Sequence, residues 1–289
     1  MNVACAARSP GSAADADGSV TANLTFIVRG ATKPVFESAA YTHGEPRLYF
    51  ATEPHAVTIH DLRRLPATPR LDREGFEFHP HASQVGDFYS DAEIERMYYP
   101  EVQALVAAAV GATRVVVFDV TRRSDAGAGA RNRDGQRGPA RRVHVDYTTQ
   151  SGPQRARDVL GAAEVERLLR RGARIVQANV WRPIRGPVQR SPLALADARS
   201  VRTEDLVATD QVFPNRVGEI YHLAYHAGQR WYYAPHMRPD EVLLIKGWDS
   251  LASVPARFTP HGAFELPDTS ATTPARESIE VRTLAVIES

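Results

Sequence analysis

The sequence predicts a mainly β fold with flanking helices, and three observations support this fold class. Short apolar segments with strand-like composition recur at near-regular intervals through the second half of the chain, with turn-forming residues between them. Segments with helical periodicity lie in the first two thirds. The 289 residues, 43% of them apolar, can supply one large β sandwich or barrel.

The N-terminal part of the chain is expected to contain a leader, three short strands and one helix. Residues 1–20 are rich in Ala, Gly, Ser and Asp and are predicted to be a disordered leader. Strands are predicted at residues 22–28 and 47–52, and an edge strand at residues 75–78. Ser90 is a candidate N-cap of a helix that has an acidic first turn, runs to Val110 and stops at Gly111.

The central part is expected to alternate strands with a loop and a helix. Residues 113–121 form the strongest predicted strand, and residues 142–148 form another. Residues 124–140 between them are rich in Gly, Arg and Asp without periodicity, which predicts a mobile loop that is either a lid or a tolerated insertion. Residues 155–171 predict a single amphipathic helix.

The C-terminal part is expected to consist mainly of strands. A strand at residues 174–181 is followed by a segment with three prolines, which predicts an extended loop over residues 182–198. Residues 220–225 and 231–234 predict a hairpin. A buried strand is expected at residues 241–247, a segment carrying His261 at residues 258–264, and a final strand at residues 277–287.

Composition excludes several classes of protein. The formal net charge of +1 gives no strong field for binding nucleic acid or acidic lipid. No run of eighteen apolar residues predicts a membrane span. The single cysteine, Cys5, excludes an internal disulfide framework and a four-cysteine metal site, and this fits a reducing cytoplasm.

A His-x-Asp pair, His144 and Asp146, carries the main chemical signal. Side chains at i and i+2 of a strand project to one face, so the imidazole and the carboxylate would lie together. A second imidazole would complete the two-His, one-carboxylate set of non-haem Fe(II) oxygenases, which leaves coordination positions open. The distal candidate is His261 in Thr-Pro-His, and its rivals are His222, His226 and His236, with His236 the most plausible of them.

A downstream Arg-x-Ser pair, Arg276 and Ser278, is a candidate anion site. Its two side chains also alternate onto one strand face, and an Arg fork beside a hydroxyl suits a carboxylate-bearing cosubstrate. Arg282, further along the same face, is the closest rival for that carboxylate. Asn179 and Arg182 are candidate pocket residues; the alternative is that Trp181 is core and Arg182 pairs with an acid.

These motifs occur along the chain in an order that resembles that of a known family. The resemblance covers about residue 113 to the C-terminus and is weaker from about residue 22. It is carried by VHVDY at 143–147, NVWRPI at 179–184, GEIY at 218–221, LIKGWDS at 244–250, RFTPH at 257–261 and RESIE at 276–280. The chain resembles the CmcJ/AsaB-type hydroxylases of microbial secondary metabolism, which are related to the Fe(II)/2-oxoglutarate-dependent oxygenases.

The resemblance implies a double-stranded β-helix, a cupin-like jelly roll, as a single domain over residues 21–289. It implies Fe(II) and 2-oxoglutarate as cofactors and hydroxylation or related oxidation of a small natural product by O₂. His144, Asp146 and His261 match the metal ligands, and no catalytic residue is assigned beyond them. Arg276 and Ser278 match the cosubstrate site, with Arg282, Asn179 and Arg182 as further candidates.

Two other functions are compatible with the residues alone. A jelly-roll site with two imidazoles and a carboxylate can also hold another divalent metal and catalyse isomerisation or hydrolysis without 2-oxoglutarate. A non-catalytic binding module can use the same fold, because fold does not determine function.

Overall fold

The computed structural model describes residues 18–127, 129–133 and 135–288. The expected disordered leader, residues 1–20, lies outside these residues except for its last three, and the first strand already begins at Val20. No helix in the described part of the chain has the length and apolar content needed to span a bilayer.

Strands dominate the described residues, as the composition of the second half predicts. They are β1 (Val20–Ile27), β2 (Val35–Glu37), β3 (Arg47–Leu48), β4 (Thr52–Asp61), β5 (Phe76–Pro80), β6 (Arg114–Ser124), β7 (Ala130–Asn132), β8 (Gly135–Arg137), β9 (His144–Val145), β10 (Arg174–Arg185), β11 (Leu193–Ala196), β12 (Leu206–Phe213), β13 (Arg216–Leu223), β14 (Trp231–Tyr233), β15 (Glu241–Asp249), β16 (His261–Ala263) and β17 (Glu277–Ile287). The helices are α1 (Ala39–Thr42), α2 (Asp91–Glu93), α3 (Tyr99–Val110), α4 (Ser151–Leu160) and α5 (Ala162–Arg170), with a π-helical turn (Ile94–Tyr98) joining α2 to α3.

Two large sheets form the framework that positions the site. The larger sheet has the strand order β1-β4-β14-β11-β16-β9-β13-β12-β2-β3, and the smaller has the order β5-β15-β10-β17-β6. Apolar side chains from both sheets pack together between them, including Phe76, Trp181 and Leu195. This arrangement confirms the mainly β fold and the jelly-roll architecture, in which a two-sided core holds the strands that carry the site.

The helix after Ser90 packs on the outer face of the smaller sheet. Ser90 caps the helix start, since its Oγ accepts a hydrogen bond from the backbone N–H of Glu93, and Gly111 ends it with a φ of 69°. Val102 and Val106 are fully buried against the apolar outward side chains of that sheet. Burying an apolar helix stripe there stabilises the sheet that contains β17, the strand that begins directly after Arg276.

Two predicted elements differ from the structure because of local backbone geometry. The single helix expected at residues 155–171 is two helices, α4 and α5, because Gly161 adopts φ 90° and ψ 137°, which no α-helix allows. The loop expected at residues 124–140 contains a short hairpin, β7–β8, whose Asn132 side chain hydrogen-bonds the backbone of Arg122. This segment is therefore tied to β6, and both expected roles, a lid or a tolerated insertion, stay predictions.

Two further expectations fail because strand pairing is decided by distant partners. The extended loop predicted at residues 182–198 is confined to residues 186–192, because residues up to Arg185 continue β10 and Leu193–Ala196 form β11. The hairpin predicted from residues 220–225 and 231–234 is wrong: β13 pairs with β12 and β9, whereas β14 pairs with β4 and β11. Proline content and a turn-like sequence predict the local chain path, but they do not identify the neighbouring strand.

Candidate active site

The two predicted imidazole ligands lie on adjacent strands of the larger sheet. His144 in β9 is directly opposite His261 in β16, so both side chains project from the same face, and their ring centroids are 4.6 Å apart. His261 is buried, and the side chain of His144 is 13% exposed. The sheet therefore brings together two residues that are far apart in the sequence.

Backbone carbonyls determine which nitrogen each imidazole presents to the site. Nδ1 of His144 lies 2.9 Å from the carbonyl oxygen of Arg142, and Nδ1 of His261 lies 3.0 Å from that of Thr259. A carbonyl oxygen can only accept, so both Nδ1 atoms carry the proton and donate it. Both Nε2 lone pairs then remain available for a metal ion. A histidine that binds a metal usually donates the N–H of its other ring nitrogen in this way.

Asp146 supplies the carboxylate of the cluster. Its Oδ1 lies 3.7 Å from Nε2 of His144, and its Oδ2 accepts hydrogen bonds from Nδ2 of Asn179 at 2.5 Å and Nε of Arg282 at 3.2 Å. The ligand atoms of Asp146 and the two histidines all lie within 4.8 Å of one another. Oδ1 thus faces the imidazoles, while Oδ2 is held by the hydrogen bonds from Asn179 and Arg282.

Burial and neighbouring charge keep His144 and Asp146 unprotonated. Burial and the nearby His261 lower the pKa of His144 to about 3. Burial alone would raise the pKa of Asp146, but Arg282 and the two imidazoles hold it well below its usual range. Two imidazoles and one carboxylate on one face are the donor set that suits Fe(II), so these residues fit that ion.

The guanidinium of Arg282 forms ion pairs with three carboxylates. It pairs with Asp146 at 3.2 Å, Glu280 at 2.5 Å and Asp119 at 2.6 Å. Burial would lower its pKa, but Asp146 and Glu280 raise it well above the usual value. The charge of Arg282 is therefore already compensated by three carboxylates, and its assignment to the cosubstrate carboxylate stays a prediction.

Arg276, unlike Arg282, is buried with incomplete hydrogen bonding among the described residues. It is 2% exposed, and its Nη1 donates to the carbonyl oxygen of Ser191 at 2.7 Å, but its Nε has no hydrogen-bond partner among the described residues. Burial and the neighbouring Arg123 lower the pKa of Arg276 to about 9. The buried Oγ of Ser278 also lacks a partner there. An unsatisfied cation beside an unsatisfied hydroxyl fits an anionic group such as a carboxylate.

A single cavity connects the two halves of the site. Its lining includes Arg123, Trp181 and Arg276 together with His144 and His261. A dicarboxylic 2-oxo acid needs a metal for its oxo-acid end and a cation for its far end. The cavity offers both, so the residues present fit 2-oxoglutarate as well as Fe(II).

Comparison with known proteins agrees with this geometry. A family profile described as an oxidoreductase/YMDC permease-like domain matches residues 24–286. The hydroxylase/desaturase efuI of Hormonema carpetanum is 30% identical, over 93% of this chain and 95% of its own length. The hydroxylase/desaturase asaB of Aspergillus flavus is 41% identical, over 46% of this chain and 63% of its own length.

A solved structure is similar over nearly the whole fold. The iron and alpha-ketoglutarate-dependent endoperoxidase NvfI has a TM-score of 0.82 and 29% identity, over 94% of this chain and 99% of its own. The chain belongs to the CmcJ/AsaB-type family of Fe(II)/2-oxoglutarate-dependent oxygenases. This membership favours an oxygenase over the isomerase, the hydrolase or the non-catalytic module that the residues alone allow.

Two residues expected to bind a cofactor make other contacts in the structure. Asn179 donates to the carboxylate of Asp146, so it orients the carboxylate of the candidate metal cluster. Arg182 lies on the opposite face of β10, where its guanidinium stacks over the rings of Phe88 and Tyr98 and donates to the carbonyl oxygen of His81. The prediction for Arg182 is corrected because Trp181 and Pro183 take the inward positions, and alternation sends Arg182 outward.

Sequence reasoning missed other residues of the oxygenase site. Arg123 lines the cavity because it lies directly opposite Ser278 in the β6–β17 pair. Glu280 also lines the cavity and pairs with Arg282. The sequence alone does not show which of the adjacent residues Arg122 and Arg123 faces the cavity, because they point to opposite faces of the strand. The pairing register of β6 is needed to decide.

The rival histidines do not join the metal cluster. Across the described ranges, the group that can hold a metal comprises His144, Asp146 and His261, without His222, His226 or His236. His222 is nevertheless close, because it lies directly opposite His144 on the side away from His261. Three histidines therefore occupy adjacent strands in one row of the larger sheet.

Proposed function

We propose that His144, Asp146 and His261 hold the Fe(II) of this oxygenase and that Arg276 and Ser278 bind the far carboxylate of its 2-oxoglutarate. The observation that carries the proposal is the buried, incompletely paired Arg276 in the same cavity as the two imidazoles. Binding a carboxylate there would satisfy both the Nε of Arg276 and the Oγ of Ser278.

Each residue contributes positioning or electrostatics. The carbonyl oxygens of Arg142 and Thr259 hold the imidazoles in the tautomer that presents Nε2. Asn179 and Arg282 hold one oxygen of Asp146, so that the other faces the metal position. The bound cofactors supply the chemistry, which couples the decarboxylation of 2-oxoglutarate by O₂ to oxidation of a substrate C–H bond. No protein acid or base is assigned to that step.

The proposed substrate is a small natural-product intermediate. Relatives named as hydroxylases or desaturases, and one named for aspirochlorine biosynthesis, support this class. Trp181 and Leu193 give the cavity apolar walls, which limit the water beside the reacting centre.

We also propose that residues 21–289 act as one domain, since the family profile spans 24–286. We further propose that the protein is cytoplasmic, in accord with its single cysteine.

The test is an anaerobic titration of the purified protein with Fe(II) and then 2-oxoglutarate, followed by admission of O₂. We expect one Fe(II) per chain, a metal-to-ligand charge-transfer band on addition of 2-oxoglutarate, and release of succinate in air. One bound metal without the band or succinate would favour the metal-dependent isomerase or hydrolase. Absence of bound metal would favour the binding module.

A further inference from the structure

Arg142 is a second cation near the metal ligands that lacks an acidic partner. Its Nε is buried without a hydrogen-bond partner, and within the described ranges its guanidinium makes no ion pair. Its Cζ lies 5.3 Å from the ring centroid of Phe36. A partly buried guanidinium in such surroundings gains from an anionic ligand.

His222 lies beside this cation. It is buried, and its Nδ1 lies 3.0 Å from Oγ1 of Thr209, while Nε2 has no hydrogen-bond partner among the described residues. Its ring centroid is 5.0 Å from that of Phe50. Because His222 is directly opposite His144 across the β9–β13 pair, its side chain projects to the face that carries the metal ligands.

The Arg142 cluster is separate from the cosubstrate site. Arg276 stacks against Trp181 and lines the cavity described above, whose walls among the described residues include neither Arg142 nor His222. His222 in β13 and Phe36 in β2 lie in the larger sheet on the far side of His144 from His261, and Arg142 lies two residues before His144 in the chain. Arg142, Phe36 and Phe50 are each partly exposed, so a ligand can reach the cluster from solvent.

We infer that Arg142 and His222 bind an acidic oxygen of the substrate, a carboxylate or an ionised hydroxyl, and that Phe36 and Phe50 contact an aromatic or apolar body attached to it. The inference rests on the proposed function, because it assigns the substrate class of that same metal site. The acidic oxygen would be held within about 10 Å of the metal, since directly opposite residues of adjacent strands lie about 5 Å apart.

The probes for the experiment are 4-fluorobenzoate and its uncharged analogue 4-fluorobenzamide. The full chain is loaded with Mn(II) in place of Fe(II) and saturated with 2-oxoglutarate, and ¹⁹F NMR relaxation reports both binding and proximity to the paramagnetic ion. We expect the benzoate to bind and to relax faster than in a Zn(II)-loaded reference. Arg142→Gln should weaken the benzoate at least about tenfold without changing the benzamide, because the lost contact is charge-assisted.

Arg216→Gln is the matched control. Arg216 also stacks on a phenylalanine, 4.5 Å from the ring centroid of Phe213, but lies at the tip of the β12–β13 hairpin. Arg142→Lys should give intermediate affinity, because lysine keeps the charge without the fork. Mn(II) binding and benzamide binding show whether each variant is folded.

Two results would overturn the inference. One is failure of the benzoate to bind the wild type more tightly than the benzamide. The other is binding that survives Arg142→Gln but is lost in Arg276→Ala, which would place the benzoate at the cosubstrate site. The charge-transfer titration with Fe(II) separates this failure from failure of the proposed function, since the wild-type band depends on 2-oxoglutarate and not on the aromatic acid.

Discussion

Removing the Arg276 side chain should weaken 2-oxoglutarate binding far more than any other single arginine change at the site. In Arg276→Ala, the far carboxylate of the cosubstrate would enter a buried position without its cation, because Arg276 is only 2% exposed. Breaking a buried charge pair from one side costs about 3–5 kcal/mol. The dissociation constant should therefore rise roughly a hundredfold to a few thousandfold.

The assay is the anaerobic charge-transfer titration of the Fe(II)-loaded protein with 2-oxoglutarate. Arg282→Ala tests the rival arginine, and we expect it to lower Fe(II) affinity instead, because Arg282 contacts Asp146. Arg182→Met is the matched control for a buried arginine, since Arg182 faces Phe88 and Tyr98 on the other side of β10. It should leave the cosubstrate titration unchanged.

The outcome that refutes the reasoning is specific. If Arg276→Ala titrates like the wild type and Arg282→Ala does not, the far carboxylate belongs to Arg282, and the unpaired Nε of Arg276 has another cause. Equal losses in both variants at saturating Fe(II) would show that the two arginines act as one site. Arg276→Lys should recover only part of the affinity, because a single ammonium cannot reproduce the guanidinium fork.

Three further predictions concern the metal ligands and the histidine row. His261→Ala should abolish turnover and lower iron content below one per chain, whereas His236→Ala should retain both; full iron in the first variant would contradict the ligand assignment. Asn179→Ala should reduce Fe(II) affinity by about 10–100-fold in a chelator competition, because the metal carboxylate loses a hydrogen bond at 2.5 Å. Burial lowers the pKa of His222 to about 3 from 6.5, so the unfolded chain binds more protons between these values, and the free energy of unfolding should fall as the pH drops from 6.5 towards 3. Urea titrations between pH 6.5 and 3 should show that the free energy of unfolding falls less steeply with decreasing pH in His222→Gln than in the wild type. An unchanged pH dependence would contradict the assignment of the bound proton to His222.

The metal cluster could be predicted from the sequence because its main signal is local. The His144-x-Asp146 spacing needs only strand alternation, and the order of downstream motifs selects His261. The choice between Arg276 and Arg282 could not be made, because both lie on the same strand face. Their difference comes from Asp119 on a neighbouring strand, which pairs with Arg282 and is invisible until the strands are paired.

Arg182 shows the same limit in another form. A motif identifies Trp181 and Arg182 together, but alternation permits only one of them to face the cavity, and the register of β10 against β15 and β17 decides which. The division of residues 155–171 into two helices depends on one glycine conformation at Gly161. Amphipathic periodicity does not detect it, because both helices present apolar residues to the same core.

The hydrogen bonds that orient the two imidazoles come from main-chain carbonyls, and this has an evolutionary consequence. Every amino acid has a carbonyl oxygen, so the residues at positions 142 and 259 can be replaced without withdrawing that support. Position 142 is thus free to diverge, because its backbone carbonyl supports the imidazole of His144 whatever its side chain is. An enzyme lineage built this way can acquire new specificities at a residue adjoining its metal centre without rebuilding the centre itself.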